Sequence, residues 1–92
     1  MIAELRLLME FYLTPPNDEF MDSHDIILDL GAELNKFPPI TREMLHKLAF
    51  GESLENLLLV YGKRNLDAMY AAGNSLLIFT KDYLGYKNGK RV

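Results

Sequence analysis

The sequence predicts an all-α domain, a compact bundle of four to five helices with a short basic C-terminal tail. Three observations predict it. Apolar residues recur with a 3.6-residue period in successive stretches. Pro or Gly separates those stretches. A side chain suited to capping stands ahead of most of them. Ninety-two residues fit one domain, here 1–92, with about 85–92 read as the flexible tail.

The first stretch, Ile2 to Leu13, sets Ile2, Leu5, Met9 and Tyr12 on one helical face, widened by Leu8 and Leu13. Leu7 and Phe11 fall partly outside that stripe, and an edge strand through Leu7–Leu13 is the alternative. Thr14-Pro15-Pro16-Asn17 ends it, because a proline disfavours α backbone in the residue before it. Asp22 or Ser23 can cap a second helix whose stripe is Ile26, Leu30 and Leu34, and Pro38-Pro39 closes it. Thr41 is the expected cap of a third helix, Arg42 to Phe50, which buries Met44, Leu45 and Leu48 and stops at Gly51.

Ser53 is placed to cap a fourth helix, Leu54 to Tyr61. Its run Leu57-Leu58-Leu59-Val60-Tyr61 also suits a buried strand, but the cap before it and Gly62 after it favour helix. Asn65 is the expected cap of the last and longest helix, reaching about Tyr83. Within it Ala71, Ala72 and Gly73 form a small-residue patch suited to close approach of another helix, unless Gly73-Asn74 divides the segment. Short connections predict antiparallel packing of sequence neighbours.

The composition, 49% hydrophobic and 25% charged, is that of a globular chain. No cysteine is present, which favours a reducing, cytoplasmic setting over a secreted one stapled by disulfides. No stretch approaches the roughly twenty apolar residues that span a bilayer, so no membrane partner is expected. The opening Met1-Ile2-Ala3-Glu4-Leu5-Arg6 lacks the basic start of a signal peptide, and Glu10 interrupts the apolar run.

The formal charge of −3 is unevenly spread, with −6 over residues 1–39 and +4 over residues 63–92. Asp25, Asp29 and Glu33 form one edge of the second helix, read first as a solvated face and otherwise as a charge-recognition surface or a hard-cation site. His24-Asp25 resembles a metal-phosphohydrolase pair without its further ligands, and His46 stands apart from it. Ser23, Thr41 and Ser53 are accounted for as caps, leaving no nucleophile. Gly62-Lys63 and Gly89-Lys90 lack the spaced glycines of a phosphate loop. No catalytic, metal or cofactor-binding residue is therefore expected.

Helix three, Gly51-Glu52-Ser53 and helix four have the lengths of a helix-turn-helix, with Leu57 and Val60 where its second helix packs. Lys47 and Glu52 are poorly suited to that turn, and Glu55 would meet phosphates unfavourably. A better nucleic-acid candidate is Lys81, Tyr83, Tyr86, Lys87, Lys90 and Arg91, which interleave cations with rings able to stack on bases. The same residues suit contact with the acidic half of a second subunit.

Phe20-Met21, in an acidic loop, is the pair expected to be exposed and adhesive, with Asp25, Asp29 and Glu33 beside it. The sequence thus favours a non-enzymatic binding or regulatory protein of the kind common among small accessory proteins of bacteria and their phages. Its expected partner is another protein or a second copy of itself. A nucleic-acid-associated regulator using the basic C-terminal segment is the alternative, and a metal enzyme using Asp22, His24 and Asp25 comes third.

Overall fold

A computed structural model describes the backbone of residues 1–14 and 21–87, and the side chains of 1–14 and 26–83. It contains five helices and no strand among the described residues: α1 Ile2–Leu13, α2 Met21–Leu34, α3 Pro39–Ala49, α4 Leu54–Tyr61 and α5 Lys63–Lys87. The all-α bundle is as the periodicity predicts, and the edge-strand alternative for α1 is not taken.

At 1.5 Å per residue, α5 is about 37 Å long, close to the 42 Å longest dimension of the molecule. It packs against each of the other four helices, and α1 packs on α2, α3 and α5. The core is built from the predicted stripes. Leu5, Leu8 and Met9 of α1 meet Leu30 and Leu34 of α2, Met44, Leu45 and Leu48 of α3, Leu57 of α4, and Met69, Ala72 and Leu76 of α5. Sequence neighbours α2–α3 and α3–α4 make little mutual packing, contrary to expectation. Pro38 and Ser53, both at ψ 152°, carry extended backbone into the next helix and turn the chain away from a direct return.

Several helix boundaries differ from the sequence reading, among them the end of α2, which falls at Leu34, ahead of Pro38-Pro39. Helix α3 begins at Pro39, not after Thr41, because a proline at the first helical position has φ already set and no N–H to satisfy. Thr41 is consequently an inward-facing, buried helical residue, not a cap. Helix α2 begins at Met21, which puts Asp22 and Ser23 inside it instead of ahead of it. Helix α5 begins at Lys63, directly after Gly62 at φ +87°, so Asn65 lies within it and donates from Nδ2 to the Tyr61 carbonyl at 2.7 Å. It also runs on to Lys87, placing residues 85–87 in a helix and not in a tail.

Gly73-Asn74 does not divide α5. Gly73 lies at the crossing with α1, where a Cβ would stand 2.4 Å from Leu5 Cδ2 and 3.4 Å from Leu5 Cγ. Only part of the small-residue patch is used as the sequence suggests: Gly73 lies against α1 and Ala72 is buried in the core, while Ala71 is exposed. Leu5 is 0% exposed, so it has no open space into which to retreat. Gly73→Ala should therefore lower stability: overpacking costs about 1–3 kcal/mol, against about 1 kcal/mol of helix propensity gained. In a Leu5→Ala background the same substitution should become stabilising, a change of sign measurable by denaturant unfolding of the four proteins in the cycle.

Candidate interaction surface

Helix α4 is eight residues long, too short to hold its shape alone in water, and its neighbours fix it from several sides. Ser53 Oγ accepts from the Asn56 N–H at 3.0 Å, as the sequence predicts for its cap. Gly51 at φ +92° and Gly62 at φ +87° supply left-handed backbone at its two ends, which other residues rarely adopt. Leu57, 1% exposed, points into the core.

Arg6 of α1 contributes a connection that the sequence reading missed. Its guanidinium donates to the Leu48 carbonyl at 2.9 Å and to the Glu52 carbonyl at 3.0 Å. It thus satisfies carbonyls at the end of α3 and in the turn that leads into α4. A lone cation in an apolar helix gave no local sign of a partner more than forty residues away.

The far end of α4 is tied to α3 by Tyr61. Its hydroxyl donates to the Glu43 carboxylate, and Lys47 Nζ sits 5.8 Å from the ring centroid. The hydrogen bond to Glu43 is the main cause that raises the Tyr61 phenol above its ordinary value of 10.0; desolvation adds to it, while Lys47 opposes it. The neutral phenol is therefore the bonded form at neutral pH.

With Leu57 turned inward and Tyr61 half-buried against the core, the three residues between them face out. Leu58 is 43% exposed, Leu59 78% and Val60 71%, and Phe50 at the end of α3 is 77% exposed. The exposure of Val60 is a further mark against the disfavoured helix-turn-helix reading, because α4 packs chiefly on α5 and leaves that side uncovered. Glu55 precedes the apolar residues and Lys63 and Arg64 follow them, all exposed.

The residues singled out from sequence are distributed elsewhere. Asp29 is exposed on α2, and Glu33 pairs with Lys36 at 2.7 Å. Lys81 is exposed on α5, bordering a shallow groove with Met1 and with Glu4 of α1, and the Tyr83 ring lies 5.9 Å from that of Phe79. Phe20, Lys90 and Arg91 lie outside the described residues, as do the side chains of Met21, Asp22, Ser23, His24, Asp25, Tyr86 and Lys87. Among the described side chains, Asp29 and Glu33 belong to α2 and Lys81 and Tyr83 to the later part of α5, none of them on α4.

An open groove of about 630 Å³ lies between the ends of α1, α2 and α3, with Tyr12, Leu34 and Phe50 in its lining. Arg42, His46 and Lys47 contribute to it, and Arg42 is held by Asn35 Oδ1 at 3.0 Å. Among the described residues no group of three or more His, Cys, Asp or Glu side chains is arranged to hold a metal ion. No helix among them is long and apolar enough to cross a membrane.

These features define a class, an all-α bundle that displays one short, well-anchored apolar helix. Comparison with family models, curated proteins and solved structures gives no match for this chain.

Two outcomes test the anchoring of α4. Arg6→Met should destabilise the fold by about 1–3 kcal/mol, because it removes charge-assisted bonds to two partly buried carbonyls. Faster amide exchange in residues 49–57 than elsewhere in the bundle should accompany it. In an ultraviolet phenolate titration of the five tyrosines, one should ionise later than the ordinary value. The Tyr61–Glu43 bond stabilises the fold fully below the unfolded phenol's pKa and is lost as pH rises through the raised folded one. Tyr61→Phe should delete the late step, and Glu43→Gln should move it earlier.

Proposed function

We propose that this chain is a small non-enzymatic binding protein that works inside the cell by presenting the outer face of α4 to another protein. The observation that carries this reading is the exposure of Leu59 and Val60, at 78% and 71%, on a helix anchored by a cap, a buried leucine and side-chain ties at both ends. Large apolar residues grouped on a rigid element are the usual content of an interface core. Rigidity matters because a surface that is already ordered loses less conformational entropy on binding. Charged residues at the two ends of the face supply a polar rim.

Leu59 and Val60 support little of the chain's own core, so replacing them separates binding from folding. A Leu59→Glu, Val60→Glu double variant should melt within a few degrees of the wild type. Proteins retained by the wild-type chain in a lysate capture should be lost from this variant, as identified by mass spectrometry. Retention of the same proteins by a folded variant would remove α4 as the binding surface.

A further inference from the structure

Two open grooves adjoin at Tyr12 and Asn35, which line both of them. The smaller, about 520 Å³, runs over Leu13 of α1 and over Ile27, Leu28 and Gly31 of α2. The larger, about 630 Å³, continues along α3 past Arg42, His46 and Phe50. Helical bonding fixes this order. The Asn35 N–H donates to the Gly31 carbonyl, so residues 27, 31 and 35 share one stripe of α2 and the turn that ends it. The Phe50 N–H donates to the His46 carbonyl, so residues 42, 46 and 50 share one stripe of α3 and its C-cap. One track thus leads from an apolar stretch on α2 to a basic one on α3.

Where the two grooves meet, donors outnumber acceptors. Arg42 is half-buried, and its Nη1 donates to Asn35 Oδ1 at 3.0 Å. That bond orients both side chains and occupies the amide oxygen. Asn35 Nδ2 and the remaining guanidinium N–H groups have no acceptor among the described residues. The Tyr12 hydroxyl has no hydrogen-bond partner among them either. Gly31 leaves it room, since a Cβ at that position would stand 3.1 Å from the oxygen. Glu43 is the one acid lining the larger groove, and its carboxylate accepts from the Tyr61 hydroxyl of α4. Lys47 is drawn the same way, over the Tyr61 ring. No acid is among the residues lining the smaller groove.

We propose that this track is a second docking site, separate from the α4 face, for a segment of a partner protein in which an Asp or Glu stands between apolar residues. A carboxylate only accepts, so it complements a cation and neutral donors that lack an acceptor of their own. It takes the free edge of the Arg42 guanidinium, with the Asn35 amide and the Tyr12 hydroxyl beside it. Leu28, 60% exposed, and the still more exposed Phe50 stand one in each groove and receive the flanking apolar side chains. A small free carboxylate fits less well, because ligands of that size are held where most of their surface is buried. A chain laid along the track gathers contacts from both grooves. The backbone of a nucleic acid would meet Arg42, but Leu13, Ile27 and Leu28 offer it neither cation nor ring.

Selection of a displayed library of short random peptides on the full chain is the test, followed by fluorescence-polarisation binding of the selected peptides in synthetic form. Those peptides should carry an Asp or Glu beside apolar residues. Arg42→Met should weaken their binding at least about tenfold, since charge-assisted hydrogen bonds are lost. Changing the peptide's acid to its amide should cost as much in the wild type and little in Arg42→Met, because the pair is already broken. Leu28→Glu, at an exposed position that leaves the core intact, should also weaken binding about tenfold, by setting a carboxylate in the track. The Leu59→Glu, Val60→Glu variant should bind the peptides as the wild type does, and circular dichroism verifies that each variant is folded. A library that enriches nothing, selected peptides without an acid, or binding that survives Arg42→Met or Leu28→Glu would each overturn the proposal. Loss of peptide binding in Leu59→Glu, Val60→Glu would overturn it too, by returning the peptides to α4. A labelled single-stranded oligonucleotide should not bind, and binding that Arg42→Met removes would overturn the protein segment as occupant.

Discussion

The crossing of α1 over α5 at Gly73 is the constraint on which the other contacts depend. Leu5 occupies the space that any other residue at position 73 would take for its side chain. That closeness seats a twelve-residue helix deeply enough to reach α2, α3 and α5 together. Arg6, the next residue along, is thereby carried to the end of α3, where its guanidinium meets the carbonyls of Leu48 and Glu52. The α3–α4 turn is held from α1 rather than by packing between α3 and α4, which is slight. One glycine in a helix interior, an element of weakness by propensity, thus sets the position of a helix remote from it in sequence.

Much of this architecture is legible in the residues, and the parts that are not share a cause. The stripes Leu5–Met9, Ile26–Leu30–Leu34 and Met44–Leu45–Leu48 are buried where the 3.6-residue period puts them. Ser53 and Gly51 act locally, through bonds and backbone angles within one turn of themselves, and both perform as local rules predict. Thr41 and Asn65 also satisfy a local rule for caps, but a stronger local signal precedes each. Pro39 starts α3 before Thr41, and Gly62 lets α5 start before Asn65. Where two start signals compete, the one that needs no side-chain bond took precedence in both cases.

The interaction surface was harder to read for a different reason. Five consecutive apolar residues, Leu57 to Tyr61, have no period and so no marked outward side. Which of them face water depends on how many neighbours α4 acquires, a property of the tertiary arrangement alone. It packs chiefly on α5, so Leu57 is covered and Leu59 is not. Phe20-Met21 drew attention in the sequence because an apolar pair among acids stands out against its surroundings. Leu59 and Val60 were hidden among residues of their own kind. Contrast in sequence and exposure in the fold are separate properties.

The energetics of α4 explain why its surface can be retained without cost to the bundle. Covering a leucine or valine side chain completely is worth about 1.5–3 kcal/mol, and the core already obtains that from Leu57 and, among the described residues, twelve other buried apolar side chains. Leu59 and Val60 keep most of theirs in reserve, available only to a surface that covers them. Two or three such residues supply several kcal/mol, of the same order as the 4–15 kcal/mol that association costs in lost freedom of motion. The apolar face alone therefore sits near the threshold of binding. Under that condition a small term decides the outcome: the entropy already surrendered by a capped and tethered helix.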